Sequence, residues 1–137
     1  MASNDEELAS GIIEALEGLK NSPICLALSG SKFASMAEEA RLKVCHEGFA
    51  DRAYNKDGTL VSRNREGAVI HDPEALAKRA VKMVKEDRVK TIEGEVIDIR
   101  VDSICVHGDS PEATENVTRL TEAFEQEGIK VTPMRKL

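Results

Sequence analysis

The sequence predicts an α/β protein with a parallel sheet, and three observations support that class. Segments with helical spacing of apolar residues alternate with short apolar runs along the 137 residues. The runs at 24–28 and 103–107 are bounded by turn residues, which is typical of strands buried on both faces. Aromatic residues make up only 3% of the chain. The core must therefore consist mainly of Ala, Val, Ile and Leu, which suits helices packed on a sheet.

The first 50 residues predict a helix, a strand, a second helix and a second strand. Ser3 and Glu6 have the spacing of a capping box, which predicts a helix over 4–20. Its apolar residues recur at helical spacing: Leu8, Ile12, Leu16 and Leu19. After the strand at 24–28, the turn Ser-Gly-Ser at 29–31 leads into a short helix and could cradle an anion at its N-terminus. Residues 42–50 predict the second strand.

The rest of the chain predicts a helix, a hairpin, a strand, a helix and a last strand. Asp72 followed by Pro73 has the form of an N-cap and first helical position. Gly94 lies between two β-branched runs in 89–99, which predicts a hairpin. The strand at 103–107 runs into a helix that begins at Ser110-Pro111 and ends at Gly128. The predicted inner face of this helix is Ala113, Val117, Leu120 and Phe124. Residues 129–133 predict a final strand, and we expect one domain over 1–137.

Charge and composition exclude several classes of partner. The net charge is -6 and the basic residues are dispersed, whereas proteins that bind nucleic acid need a clustered basic surface. No apolar run approaches the roughly 20 residues that a membrane span requires. The three cysteines form no CxxC spacing, and we expect them to be small buried hydrophobes in a reducing, cytoplasmic protein.

Ionisable residues follow two of the predicted strands. Strand alternation places Glu47 on one face of the second strand, and Asp51 continues that face if the chain stays extended. The same rule places His107 and Asp109 together at the end of a later strand. Because ligands bind at the carboxyl ends of parallel strands, we expect these four residues to converge. A carboxylate beside an imidazole can share a proton, and the same groups could hold a divalent metal.

A structural interpretation of these residues is equally well supported. Glu47 and Asp51 could pair with Arg52 and Arg63 to fix the loop, and Asp109 could cap the last helix. Two further histidines are weaker candidates: His46 and His71. The first is predicted on the opposite strand face, and the second lies in a helix-entry loop.

Four motifs in this region resemble the C-terminal half of the LamB/YcsF family. Members show Glu-x-Phe-Ala-Asp-Arg-x-Tyr, then Asp-Gly-x-Leu-Val-x-Arg, Gly-Ala-x-Ile and Cys-x-His-Gly-Asp, and the chain matches them at 47–54, 57–63, 67–70 and 105–109. Gly48 departs from the family, in which a larger apolar residue is usual. The motifs of the family's N-terminal half, among them Asn-Ala-Asp-Leu-Gly-Glu and Pro-His-Gly, do not occur in this chain.

The resemblance implies part of a distorted seven-stranded β/α barrel of the glycoside hydrolase/deacetylase type, about half of it. It also implies ATP-dependent hydrolysis of the lactam 5-oxoproline to glutamate, together with two other subunits. ATP is the implied cofactor, and a divalent metal is left open. Since the N-terminal motifs are missing, we expect the isolated chain to be inactive. We also expect it to form a homo-oligomer or to capture a complementary N-terminal half, because an open half-barrel has two free edges.

The implied catalytic residues are Asp51, Arg52, His107 and Asp109. The implied substrate-binding residues are Glu47, Tyr54 and Arg63. Arg52 or His107 could donate to the negative charge that develops on the lactam oxygen, whereas the general base and any metal ligands are unassigned. Two alternatives stay open: a truncated, non-catalytic family member that acts as an interaction or structural partner, and, by fold analogy alone, a metal-dependent carbohydrate deacetylase.

Overall fold

A computed structural model describes residues 3–21, 23–108 and 111–136. Helices and short strands alternate along the chain, as predicted. The elements are α1 (Glu6–Glu17), β1 (Ile24–Leu28), α2 (Lys32–Glu39), β2 (Lys43–Phe49), α3 (Pro73–Glu86), β3 (Arg88–Lys90), β4 (Val96–Asp98), β5 (Ser103–Cys105) and α4 (Ala113–Gln126), followed by a 3₁₀ turn at Met134–Lys136.

Three strands form a parallel sheet in the order β1-β2-β5, and β3 and β4 form a separate antiparallel hairpin. The parallel sheet and the hairpin confirm the predicted α/β class. In the register of β2 with β5, Glu47 lies opposite Ser103 and Phe49 opposite Cys105. The carboxyl ends of these two strands are therefore adjacent, and the segments that follow them begin at the same edge of the sheet.

Side-chain caps fix where the helices begin. Asp72 caps α3 by accepting a hydrogen bond from the Glu74 amide, and Pro73 occupies the first turn, as predicted. The predicted Ser3 cap of α1 is wrong, because Asp5 accepts from the Leu8 amide at 3.1 Å and α1 is shorter than 4–20. The helix α4 begins at Ala113 rather than at the predicted Ser110, which lies outside the described residues.

The inner face of α4 differs from the predicted one by one position. Its buried residues are Asn116, Leu120 and Phe124, spaced four apart, and Val117 is 51% exposed. Leu120 and Phe124 pack with Leu76 of α3 in one core cluster. The apolar pattern alone predicts that Val117 is buried. It cannot anticipate that the buried position of this turn is the polar residue Asn116.

Three sequence expectations about strands are wrong. The strand predicted over 103–107 ends at Cys105, and its residues are half-buried rather than buried on both faces. Residues 129–133 form no strand, and the chain ends its described part in the 3₁₀ turn instead. The strand β1 is buried on one face only: Cys25 and Ala27 are buried, whereas Leu26 is 48% exposed. The sequence cannot show this, since it does not reveal what covers the second face.

The three cysteines are free thiols, two of them buried and Cys105 half-buried, as expected for small hydrophobes. None of the described helices combines the length and apolar character that crossing a bilayer requires.

Exposed apolar residues predict that the chain associates. Leu26 lies on the edge strand β1, and Leu8 and Ile12, which belong to the helically spaced apolar residues of α1, are 49% and 41% exposed. We expect light scattering at micromolar concentration to give a mass above 15.0 kDa. Leu26→Asp should shift the distribution toward the monomer, whereas Val131→Asp, at an exposed apolar position outside the sheet, should not. A monodisperse 15.0 kDa species of the unmodified chain would contradict this prediction.

Gly48, the departure from the family pattern, lies under the end of Met83. A Cβ at this position would be 2.8 Å from Met83 Cε and 3.1 Å from Val101 Cγ2. We expect Gly48→Ala to lower the free energy of unfolding by about 1–3 kcal/mol because the added methyl overpacks this contact. Gly11→Ala, where a Cβ meets nothing within 4 Å, should instead raise it by up to about 1 kcal/mol. Denaturant titration measures both, and equal shifts of the two variants would argue against overpacking.

Candidate functional site

A small cleft opens where β2 and β5 end, beside the first turns of α4. Its volume is about 180 Å³, below the roughly 300–1,000 Å³ of sites for drug-sized ligands. It therefore suits a molecule about the size of one small ring. Its polar lining residues are Asp51, Arg52, Arg63, His71, His107 and Asn116.

A larger groove of about 960 Å³ runs between α3, α4 and the hairpin, but it offers less chemistry. Its described lining includes no His or Asp. Charged residues along it pair with one another, Lys78 with Glu74 and Arg119 with Glu122. The small cleft is therefore the better candidate for a functional site.

The closest polar contact in the cleft joins Asp51 and His107. Asp51 Oδ2 and His107 Nδ1 are 2.5 Å apart, and the His107 amide also lies 3.5 Å from the same oxygen. An ionised carboxylate only accepts, so Nδ1 carries the proton of this hydrogen bond. In the neutral ring this leaves Nε2 with a lone pair, which is the arrangement of an oriented general base. The ring is also held by Phe49, whose centroid is 5.7 Å away.

Arg52 lines the cleft from a fixed position. Its Nη2 donates to the Val61 carbonyl at 2.6 Å, and the side chain is buried. Burial lowers the pKa of its guanidinium, with the positive charge of Arg63 lowering it further and Asp51 raising it. The sequence predicts a pairing with Glu47 or Asp51, whereas the structure has the Val61 carbonyl as the hydrogen-bond partner of Arg52. This bond fixes the loop, and the charge of Arg52 still faces the cleft.

Tyr54 lies in the core rather than in the cleft. It is fully buried, its hydroxyl accepts from the Phe49 amide at 2.8 Å, and Arg79 lies 5.8 Å from its ring centroid. Burial raises the pKa of Tyr54 to about 12. This placement ties the segment after β2 to the end of that strand, and so helps to hold Asp51 and Arg52 at the cleft.

Glu47 faces the neighbouring strand rather than the cleft lining. The pKa of the Cys105 thiol is raised to about 11, mainly by burial. The negative charge of Glu47 and a hydrogen bond to its carboxylate also raise this pKa. A thiol with this pKa is protonated at neutral pH, so Cys105 is not an activated nucleophile. The other predicted residue of this strand end, Asp109, lies outside the described residues.

Two cleft residues are not favoured by the sequence. His71 lines the cleft from the helix-entry loop, and Asn116 does so from the buried face of α4. The available signal for Asn116 is its spacing of four and eight residues before Leu120 and Phe124, which puts a polar side chain on an apolar face. His46 is elsewhere, with Nε2 3.0 Å from Glu38 Oε1.

Neither a metal-binding cluster nor an open anion-binding turn is found among the described residues. Within 3–21, 23–108 and 111–136, no group of three or more His, Cys, Asp or Glu side chains could hold a metal ion. The Ser-Gly-Ser turn predicted to cradle an anion is used internally, because Ser31 Oγ caps α2 by accepting from the Ala34 amide at 3.2 Å. The cleft itself is too small for ATP.

A parallel α/β sheet with a carboxylate–imidazole pair at the ends of adjacent strands places this chain in the α/β class, whose members bind ligands at that edge of the sheet. Over residues 1–137 the sequence matches the model of the LamB/YcsF family, and the chain belongs to that family. It is 52% identical over 133 residues to the 5-oxoprolinase A subunit of Thermococcus sibiricus, covering 97% of this chain and 52% of the relative. It is 47% identical over 137 residues to that of Clostridium beijerinckii, covering 100% of this chain and 54% of the relative.

A solved structure has the same fold. The lactam utilization protein from Thermus thermophilus aligns with a TM-score of 0.86 and 35% identity, over 95% of this chain and 51% of that one. The chain thus spans about half the length of the relatives it matches.

Tyr54 predicts a pH dependence of stability at the alkaline end. It is the only tyrosine, and the chain has no tryptophan, so its ionisation can be followed by ultraviolet absorbance. We expect a midpoint near 12 in the folded chain, against roughly 10 unfolded. The unfolded phenol ionises first, so stability should fall as the pH rises from about 10 toward about 12. A midpoint near 10 in a chain that circular dichroism shows to be folded would contradict the buried placement.

Proposed function

We propose that this chain forms part of a 5-oxoprolinase, an enzyme that hydrolyses the lactam 5-oxoproline to glutamate. The observation that carries the proposal is the Asp51–His107 pair in a ring-sized cleft at the strand ends. The names of the relatives, a 5-oxoprolinase A subunit and a lactam utilization protein, supply the substrate class. The chain would contribute about half of a distorted seven-stranded β/α barrel and act with the partner subunits that the first of these names implies.

The chain's own residues divide the chemistry between proton transfer and charge. His107, held by Asp51 through Nδ1, would take a proton from the attacking water at Nε2. It would later return a proton to the ring nitrogen when the amide bond breaks. Arg52 and Arg63 add positive charge at the cleft, which favours the carboxylate of 5-oxoproline and the negative charge that develops on the lactam oxygen.

ATP, the cofactor that the family resemblance implies, would bind outside the cleft at the strand ends. The cleft is too small and the α2 N-terminus is already capped. We propose that the nucleotide, and any divalent metal, bind at the complementary half or at the partner subunits. No step that the present residues perform depends on where the nucleotide binds.

Substitution of the paired residues tests this proposal. In an enzyme assembled from this chain, its complementary half and the partner subunits, we expect Asp51→Ala or His107→Ala to lower turnover by roughly 100-fold or more. The matched control is Glu38→Gln, which alters the other histidine–carboxylate pair, Glu38 with His46, away from the cleft. Its turnover should stay within about twofold of the unmodified enzyme.

Stability measurements separate catalysis from folding in this experiment. The two site variants should unfold at nearly the temperature of the parent, and the chain alone should release no glutamate from 5-oxoproline and ATP, because catalysis needs the complete site. Normal turnover with a lowered melting temperature in Asp51→Ala would overturn the catalytic assignment and leave a structural role for the pair.

A further inference from the structure

Three buried polar atoms at the cleft lack partners among the described residues. They are Asp51 Oδ1, Arg52 Nε and Asn116 Oδ1. All three side chains are more than nine-tenths buried, with relative exposures of 6%, 8% and 4%, and all three line the same cleft. A buried polar atom without a hydrogen bond destabilises the fold, so such atoms persist where a water or a ligand completes them.

Asn116 is the least expected of the three. It occupies the buried face of α4 in register with Leu120 and Phe124, where an apolar side chain would continue the core. Its backbone amide donates to the Glu112 carbonyl as in any helix, so the side chain is not needed to start α4. No fold-stabilising contact of its side-chain oxygen is present in the described chain. The position therefore fits ligand recognition better than packing.

The chemistry of a carboxamide identifies what it would recognise. The Asn side chain presents an acceptor and a donor side by side in one plane. A lactam is the complement, because its ring forces the amide into the cis form and places N–H and C=O on the same side. An open-chain secondary amide is trans and points them in opposite directions. A half-turn rotation of the Asn116 carboxamide exchanges its oxygen and its NH₂ group. The side chain can therefore pair with the ring N–H and C=O in either orientation of the lactam.

We propose that Asn116 binds the ring amide of the substrate through two parallel hydrogen bonds, and so selects lactams over open-chain amides. The inference rests on the proposed function and adds a substrate-binding residue that the family motifs of this chain do not include. With the ring amide on Asn116, the lactam carbonyl would lie in the cleft that Asp51 and His107 also line.

The test is a binding titration of the purified chain with three small probes, followed through the side-chain amide signal of Asn116 by NMR. The probes are 2-pyrrolidinone, N-methyl-2-pyrrolidinone, which lacks the ring N–H, and N-methylacetamide, which is trans. We expect 2-pyrrolidinone to shift the Asn116 signal and to bind about tenfold or more tighter than the other two, since each loses one of the paired hydrogen bonds.

Variants connect this selectivity to Asn116. Asn116→Leu should weaken 2-pyrrolidinone binding about tenfold or more and abolish its advantage over the N-methyl compound, while keeping or raising the melting temperature because it continues the apolar face. Asn116→Asp, which keeps the shape but only accepts hydrogen bonds when ionised, should lose the preference for 2-pyrrolidinone over N-methylacetamide and keep the preference over the N-methyl compound, which has no N–H to donate. Asn64→Ala, at an exposed loop position, is the control and should bind like the parent.

The outcomes separate this inference from the proposed function. Binding of 2-pyrrolidinone with no preference over the N-methyl compound, or equal binding by Asn116→Leu, would overturn the role of Asn116 and leave lactam hydrolysis intact. Selective, Asn116-dependent binding together with an assembled enzyme that releases no glutamate would instead overturn the proposed function. Absence of binding by any probe would contradict a lactam site in this cleft.

Discussion

The parallel pairing of β2 with β5 is the constraint on which the rest of the site depends. It places Phe49 opposite Cys105, so the segments after both strands leave the same edge of the sheet. Asp51 and His107, 56 residues apart in sequence, then meet at 2.5 Å. If the register slipped by one residue, the side chains of β5 would exchange faces and this meeting would be lost.

Several buried contacts keep the segment after β2 from moving away from that edge. Tyr54 folds back to bind the Phe49 amide, and the Ile70 amide donates to the Asp51 carbonyl at 2.8 Å. The carbonyl of Arg52 accepts from Arg79 Nη2 of α3. Tyr54 and Arg79, which do not line the cleft, thus help to position the residues that do, and the start of this loop at 51–54 is buried although the loop is rich in ionisable groups.

The sequence predicts the elements better than it predicts their surroundings. Periodicity and turn residues are local, and they correctly predict β1, the Asp72 cap and the hairpin around Gly94. They place Asp51 and His107 at strand ends, because that inference needs only strand alternation and the parallel order. Leu26 and Val117 are misassigned to buried faces, since burial depends on which neighbours cover each face. Asn116 escapes prediction for the same reason: a polar residue on an inner face is identified only when the face is known.

Binding of a lactam ring between Asp51, His107 and Asn116 is the centre of the proposed function and of the inference that extends it. A crystal structure of the chain, alone or in its assembly, with 5-oxoproline bound tests it most directly. We expect the ring in the cleft, with its amide nitrogen and oxygen both within hydrogen-bond distance of the Asn116 carboxamide and its carbonyl carbon on the side of His107 Nε2. Density for the ligand in the groove along α3 and α4, with the cleft at the strand ends filled by ordered water, would contradict it.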